Sequence, residues 1–204
     1  MVVIRCPRFY PTWMTSTKLL AGMASASLVA GLAVAAFFSP AHAAGVQTQF
    51  TGFVMSVSDG DTLRALHPVA GTATVRLSDI DAPETSHGSD RPGQAYSAQA
   101  KRKLMELVLS RVASFTCYEP DTRNNRLVCR AEVDGQDVAD QLLAAGLVWP
   151  YLERPEFIRG KHTMRIYNEA KAARLGLWAD KKPVAPWAWR KDCWAGGLCE
   201  MAEP

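Results

Sequence analysis

Turn residues cut positions 50–77 into pieces too short for anything but strands. Phe50 to Ser58 alternates apolar with small or polar side chains, placing Phe53, Met55 and Val57 on one face, and Asp59-Gly60 follows as a strong hairpin signal. Thr62 to Leu66 reads as the return strand and Pro68 to Gly71 as the next turn. Ala73 to Leu77 reads as a third strand, with Val75 and Leu77 on one face and Thr74 and Arg76 on the other. Residues 78–96 are irregular, broken by Pro83, Gly88, Pro92 and Gly93. The spacing of Ala100, Leu104, Leu107 and Val108 predicts a helix from Ser97 to Leu109, with Lys101, Arg102 and Lys103 toward water. Val112–Cys117 and Leu127–Val133 read as two more strands around the polar loop 119–126. A short helix over Asp137–Ala145 is stopped by Gly146, and a last one runs from Arg159 to Arg174. Five short strands, one helix after the third and two after the fifth, predict an α+β fold with a five-stranded barrel, because no parallel crossover repeats.

The N-terminus obeys a different pattern. Leu19 to Phe38 carries no charge, follows Arg5, Arg8 and Lys18, and ends in Ser39-Pro40-Ala41-His42-Ala43-Ala44, which fits an A-x-A cleavage site. Residues 1–43 thus read as a signal peptide, 44–180 as the folded domain and 181–204 as a C-terminal extension. Retention of residues 19–38 as a membrane anchor is the competing reading, since about twenty apolar residues can span a bilayer. The Ala/Gly/Ser-rich composition and Pro40 favour cleavage. Residues 1–43 hold three basic and no acidic side chains, so the remainder is balanced at 20 Lys+Arg against 20 Asp+Glu. Net charge therefore says nothing about a polyanionic partner, and any phosphate binding must come from a local cluster.

Cys6 leaves with the signal, and Cys117, Cys129, Cys193 and Cys199 remain. Four cysteines allow three pairings; proximity in sequence favours Cys117–Cys129 and Cys193–Cys199. A zinc site is the alternative, but there is no C-x-x-C pair, and an exported chain favours disulfides.

Two polar clusters carry possible chemistry. Asp59-Gly60-Asp61-Thr62 is by itself an ordinary turn, and Asp79-Ile80-Asp81-Ala82-Pro83-Glu84 by itself an acidic loop. Taken together they put Asp61 at a hairpin tip and Asp81 just past the third strand of the same meander. Two hard carboxylates with a main-chain carbonyl and waters suit Ca²⁺, and a cation between them relieves their repulsion. Glu84, three residues on, is placed to act on a water, and Arg76 offers a planar phosphate clamp.

These runs, D-G-D-T over 59–62 and R-x-x-x-x-D-x-P-E from Arg76 to Glu84, resemble the staphylococcal nuclease (thermonuclease) family. The resemblance continues through Asp121 to Arg126, Ala145-Gly146-Leu147 and Gly176-Leu177-Trp178, covering roughly residues 50–180. It implies an OB-fold barrel with three helices. It further implies Ca²⁺ ligation by Asp61, Asp81 and the Ala82 carbonyl, water activation by Glu84, and phosphate binding by Arg76 and Arg126. The family reaction is in-line attack of water on a phosphodiester of DNA or RNA, single strands favoured, leaving a 3′-phosphate. No obligate protein partner is implied, and a monomer is expected.

The sequence departs from the family in one loop. Where the family has D-R-Y-G-R or similar, this chain reads Arg123-Asn124-Asn125-Arg126, without the aromatic, and Arg123 competes with Arg126 for the phosphate. Trp149 and Tyr151 are alternative stacking surfaces for bases, although Trp149 also reads as a core or rim aromatic. The tail from Lys181, with Pro183, Pro186, Trp187, Trp189 and Trp194, reads as a strap along the domain or as a partly ordered extension. A non-catalytic OB module that binds nucleic acid or protein is the rival function. N-terminal sequencing of the exported product is expected to begin at Ala44; a product beginning at Met1 overturns cleavage.

Overall fold

The structure is a computed structural model that describes residues 48–121 and 126–199; the segment read as a signal peptide or anchor, and Arg123, lie outside them. In chain order the elements are β1 Thr48–Val57, β2 Thr62–His67, β3 Gly71–Leu77, β4 Ile80–Asp81, α1 Ser97–Val108, β5 Val112–Asp121, β6 Arg126–Val133, β7 Gln136–Asp137, α2 Val138–Ala144, β8 Trp149–Pro150, α3 Thr163–Ala172 and α4 Pro186–Trp189. Among the described residues no helix is long and apolar enough to cross a membrane.

The meander β3-β2-β1 continues through β5 to β6, every neighbour antiparallel. It closes where β3 pairs with β6 in parallel, Arg76 opposite Val128 and Leu77 opposite Cys129. Closure leaves a five-stranded mixed barrel with no long unpaired edge, the OB-fold expected from the strand count. Its interior holds Val54, Leu63, Val75, Leu77 and Phe115, against which α1 lays Ala100, Leu104, Leu107 and Val108. That is the stripe read from sequence. Each fully buried leucine or valine of this set contributes about 1.5–3 kcal/mol of transfer free energy.

Two details differ from expectation. Phe53 and Met55 are 41% and 48% exposed, whereas Phe50 and Val54 face the core. The buried face of β1 is set by Gly52, whose missing side chain lets the Leu66 carbonyl approach, and the register slips between Val54 and Ser56. A fourth helix, α4, also appears beyond the expected three. Pro186 supplies its first helical residue, and Trp189 is buried at its far end.

Both disulfides take the pairing favoured by sequence, Cys117–Cys129 across β5 and β6, and Cys193–Cys199 in the tail. Gly60 turns out to be needed for space rather than for a left-handed turn. A Cβ there would lie 2.7 Å from the Ala82 methyl and 2.8 Å from that of Ala100. Neither methyl can rotate away, so Gly60→Ala is expected to cost about 1–3 kcal/mol by overpacking. Urea unfolding of the variant checks this, and an unchanged midpoint contradicts it.

Candidate active site

Arg76 stands on the side of β3 opposite Val75 and Leu77, so its guanidinium leaves the core at the barrel's rim. There Nη1 donates to Asp61 Oδ1, and Nη2 donates to Asp81 Oδ1 at 2.5 Å. Asp61 arrives from the β1–β2 hairpin, where its amide donates to Asp59 Oδ1 at 3.1 Å and Ser58 N bonds the Thr62 carbonyl at 2.8 Å. Asp81 arrives from β4, which β8 pins by pairing Asp81 with Trp149 and Ile80 with Pro150. Two separate turns thus deliver carboxylates to one guanidinium. They are 1% and 0% exposed.

Burying two acids side by side is costly unless donors surround them. Asp61 Oδ1 also accepts from Thr62 Oγ1 at 3.1 Å, and Oδ2 accepts from the Ala82 amide at 2.7 Å. Ala82 therefore touches the cluster through its N–H as well as being the residue whose carbonyl was expected there. Burial raises the Asp61 pKa well above its usual value, outweighing Arg76, while Asp59 and Asp81 push it further the same way. Burial opposes the charge on Arg76 as well, but Asp61 and Asp81 more than reverse that and raise its pKa.

Asp79, the third acid of the run, does not join them. It sits at φ 71°, and its two oxygens accept from the Arg159 and Gly160 amides at 2.9 Å each. Its carbonyl takes the Tyr151 amide at 2.9 Å. It is a structural clasp between the acidic segment and the chain that enters α3. An aspartate tolerates the left-handed conformation better than most residues.

Glu84 lies at the edge, with its side chain 17% exposed. Gln94 fixes its backbone on both sides: Glu84 N donates to Gln94 Oε1 at 3.2 Å, and Gln94 N donates to the Glu84 carbonyl at 2.8 Å. Burial raises the Glu84 pKa, with Arg190 pulling the other way. Arg190 is the residue the sequence did not reveal. Its Nη1 donates to Glu84 Oε1 at 2.6 Å and Asp81 Oδ1 at 3.2 Å. Its Nη2 donates to Asp81 Oδ2 at 2.9 Å and Glu153 Oε2 at 3.2 Å.

The remaining candidates are distributed unevenly. Arg126 begins β6, one residue before the Val75–Leu127 pair, so it shares the Arg76 face of the sheet two positions upstream. Trp149 is half-buried, with its ring 4.5 Å from Trp178 and 5.6 Å from Trp187, which is the packed reading. Tyr151 lies against Phe157 at 6.5 Å. Among the described residues, no group of three or more His, Cys, Asp or Glu side chains converges as a metal cage.

A model of the family "Staphylococcal nuclease homologue" matches residues 74–180, just over half the chain. The chain belongs to this family. An uncharacterized endonuclease of Haemophilus influenzae is 30% identical over 138 residues, covering 68% of this chain and 71% of that protein. A micrococcal nuclease of Shigella flexneri is 33% identical over 154 residues, covering 70% and 81%. An uncharacterized 38.1 kDa protein of Capnoides sempervirens is 34% identical over 121 residues, 58% of this chain, which spans only about a third of that relative (32%). The family match starts inside β3, beyond Asp61, so it is the fold that joins the hairpin acid to the matched staphylococcal nuclease segment.

Folding lifts the Asp61 pKa above its ordinary 3.8, so the folded protein holds this proton more tightly than the unfolded chain. The stability from this group is fully present below 3.8 and is lost as pH rises through the folded value. In EDTA, Asp61→Asn is accordingly expected to be more stable than the parent at pH 7, with the gap closing toward pH 4. Urea midpoints at the two pH values decide the sign; a variant weaker at pH 7 contradicts it.

Proposed function

We propose that this chain is an exported nuclease, dependent on calcium, that hydrolyses phosphodiester bonds in DNA or RNA and leaves 3′-phosphate ends. The observation that carries the reading is the convergence of Asp61, Asp81 and Glu84 with Arg76 at one rim of the barrel. A module that only bound nucleic acid would gain nothing from burying two acids beside each other.

The donor set suits the ion. It is all oxygen, with two carboxylates whose Oδ1 atoms share one guanidinium and the Ala82 carbonyl proposed as third ligand. Asp61, Asp81 and Glu84 outnumber Arg76 and Arg190, so the cluster retains negative charge for a divalent cation. When bound, calcium supplies electrostatic stabilisation of the phosphate and of an attacking water.

The chain's own residues supply the rest. Glu84 is the only one of the three acids at the edge of the cluster, where water has access, and its raised pKa brings its basicity nearer to neutral pH. It takes a proton from the water that attacks phosphorus in line with the leaving 5′-oxygen. Arg76 keeps its charge, and once Asp61 and Asp81 are neutralised by calcium, the two Nη donors they now hold would be released to two phosphate oxygens as the negative charge on them grows. Arg126, on the same sheet face, is the second phosphate ligand. Single-stranded DNA or RNA is the favoured substrate, and because the Asn124-Asn125 loop lacks the aromatic usual in the family, that preference does not rest on base stacking there. Two disulfides accord with release into an oxidising compartment after cleavage near Ala43.

The test compares parent and Glu84→Gln on single-stranded DNA and RNA with Ca²⁺ and with EDTA. The parent is expected to lose activity in EDTA and regain it with Ca²⁺. Glu84→Gln is expected to retain about one part in 10²–10⁴ of the parental kcat. Equal activity of both proteins with Ca²⁺ and with EDTA, on either substrate, sinks the mechanism. A parent inactive on both substrates with Ca²⁺ as well as with EDTA points to a non-catalytic OB module instead.

A further inference from the structure

The C-terminal segment is docked on the loop that carries Glu84. Gln94, which brackets the Glu84 backbone, donates from Nε2 to the Val184 carbonyl at 2.6 Å. Trp189 and Trp194 both donate their indole N–H to the Pro92 carbonyl, at 3.2 and 3.0 Å. The Trp194 ring also meets His87 edge-on at 5.6 Å and lies under Arg91 at 5.7 Å. Beyond Arg190 the chain turns back on itself, with Leu198 N bonding the Asp192 carbonyl at 2.9 Å and Cys193–Cys199 closing the loop. Arg190 is therefore not a mobile surface side chain. It leaves the end of α4 directly after the buried Trp189, and the clamped segment fixes where its guanidinium lands.

We infer that Arg190 is a positioning residue of the active site: its guanidinium holds Glu84 and Asp81 in fixed register, and its charge competes with the metal ion for Asp81. This rests on the nuclease reading above and adds to it a residue from outside the matched family segment. Two consequences follow from one group. Nη1 bridges Glu84 Oε1 and Asp81 Oδ1, so the proton acceptor and the cation ligand are held by a single rigid plane. The same positive charge lies against both oxygens of Asp81, where it repels a divalent cation. A strut alone would lack this pairing of effects, since its loss would loosen the acids and weaken both metal binding and turnover; a counter-ion alone would change metal binding and leave turnover at saturating Ca²⁺ unchanged.

The experiment uses the full chain with Arg190→Gln and Arg190→Lys, at a temperature where circular dichroism shows each variant folded. Ca²⁺ affinity is measured by calorimetry, and kcat and KM on single-stranded DNA at saturating Ca²⁺. Arg190→Gln is expected to lower kcat roughly 10–100-fold, the scale of a misplaced acid–base group, with KM within about threefold. It is expected to bind Ca²⁺ about three- to tenfold more tightly, because a nearby positive charge is gone. Arg190→Lys keeps the charge but not the fork, so its Ca²⁺ affinity should match the parent while kcat stays depressed. A kcat for Arg190→Gln within twofold of the parent overturns the inference, as does a variant in which Ca²⁺ affinity and kcat fall together. A parent inactive with every divalent cation fails the nuclease reading itself and the inference with it, which the parental control separates from the other outcomes.

Discussion

One guanidinium organises this molecule. Arg76 is planted on the strand that closes the barrel and draws Asp61 and Asp81 together, one from a hairpin and one from a segment that has already left the sheet. Without it, Asp61 would keep only Thr62 and the Ala82 amide, and no cation would lie between the two nearly water-free carboxylates, a costly arrangement for a small domain. Parallel pairing of β3 with β6 is what gives Arg76 a rigid base. The same pairing puts Cys129 opposite Leu77, and the Cys129 carbonyl accepts the Ser78 amide at 2.9 Å. Barrel closure, the Cys117–Cys129 crosslink and the start of the acidic segment thus meet within a few residues. A clip enclosing a loop of this length restricts the unfolded chain by roughly 3 kcal/mol on a chain-entropy model, and in the folded protein it braces the strand beside the acids.

Much of this could be read in the sequence where the signal was periodic or local. The α1 stripe is legible because helical packing repeats every three or four residues, and the five barrel strands because turn residues bound them. Asp61, Asp81, Glu84 and Arg76 are legible because they occupy two short runs whose spacing the meander converts into proximity. The outward face of β1 was harder, since alternation alone cannot say which side is buried once Gly52 and a register slip intervene. Gly60 looked like turn chemistry and proved to be a packing constraint from Ala82 and Ala100, residues brought there only by the closed fold. The Asp79 clasp has the same character: its partners at 159 and 160 are some eighty positions away.

Arg190 shows where legibility ends. Nothing in Trp187-Ala188-Trp189-Arg190 names a partner, and two of its three carboxylates, Glu84 and Asp81, lie 106 and 109 positions earlier. The only sequence hint was indirect, a tryptophan-rich tail with a cysteine pair, which suggested a strap and left its purpose open. The structure gives the strap an address: three hydrogen bonds to Pro92 and Gln94, two residues of the loop that bears Glu84.

That address has a consequence for how the protein is made. Asp61, Arg76, Asp81 and Glu84 leave the ribosome more than a hundred residues ahead of Arg190, in time for the barrel to close around them. The last ion pairs of Asp81 and Glu84 wait for the tail, and the tail's own loop waits for Cys193 and Cys199 to be oxidised. A chain that ends before Arg190 therefore carries its acids in a different electrostatic setting from the finished one. Synthesis order becomes part of the site's assembly rather than background to it.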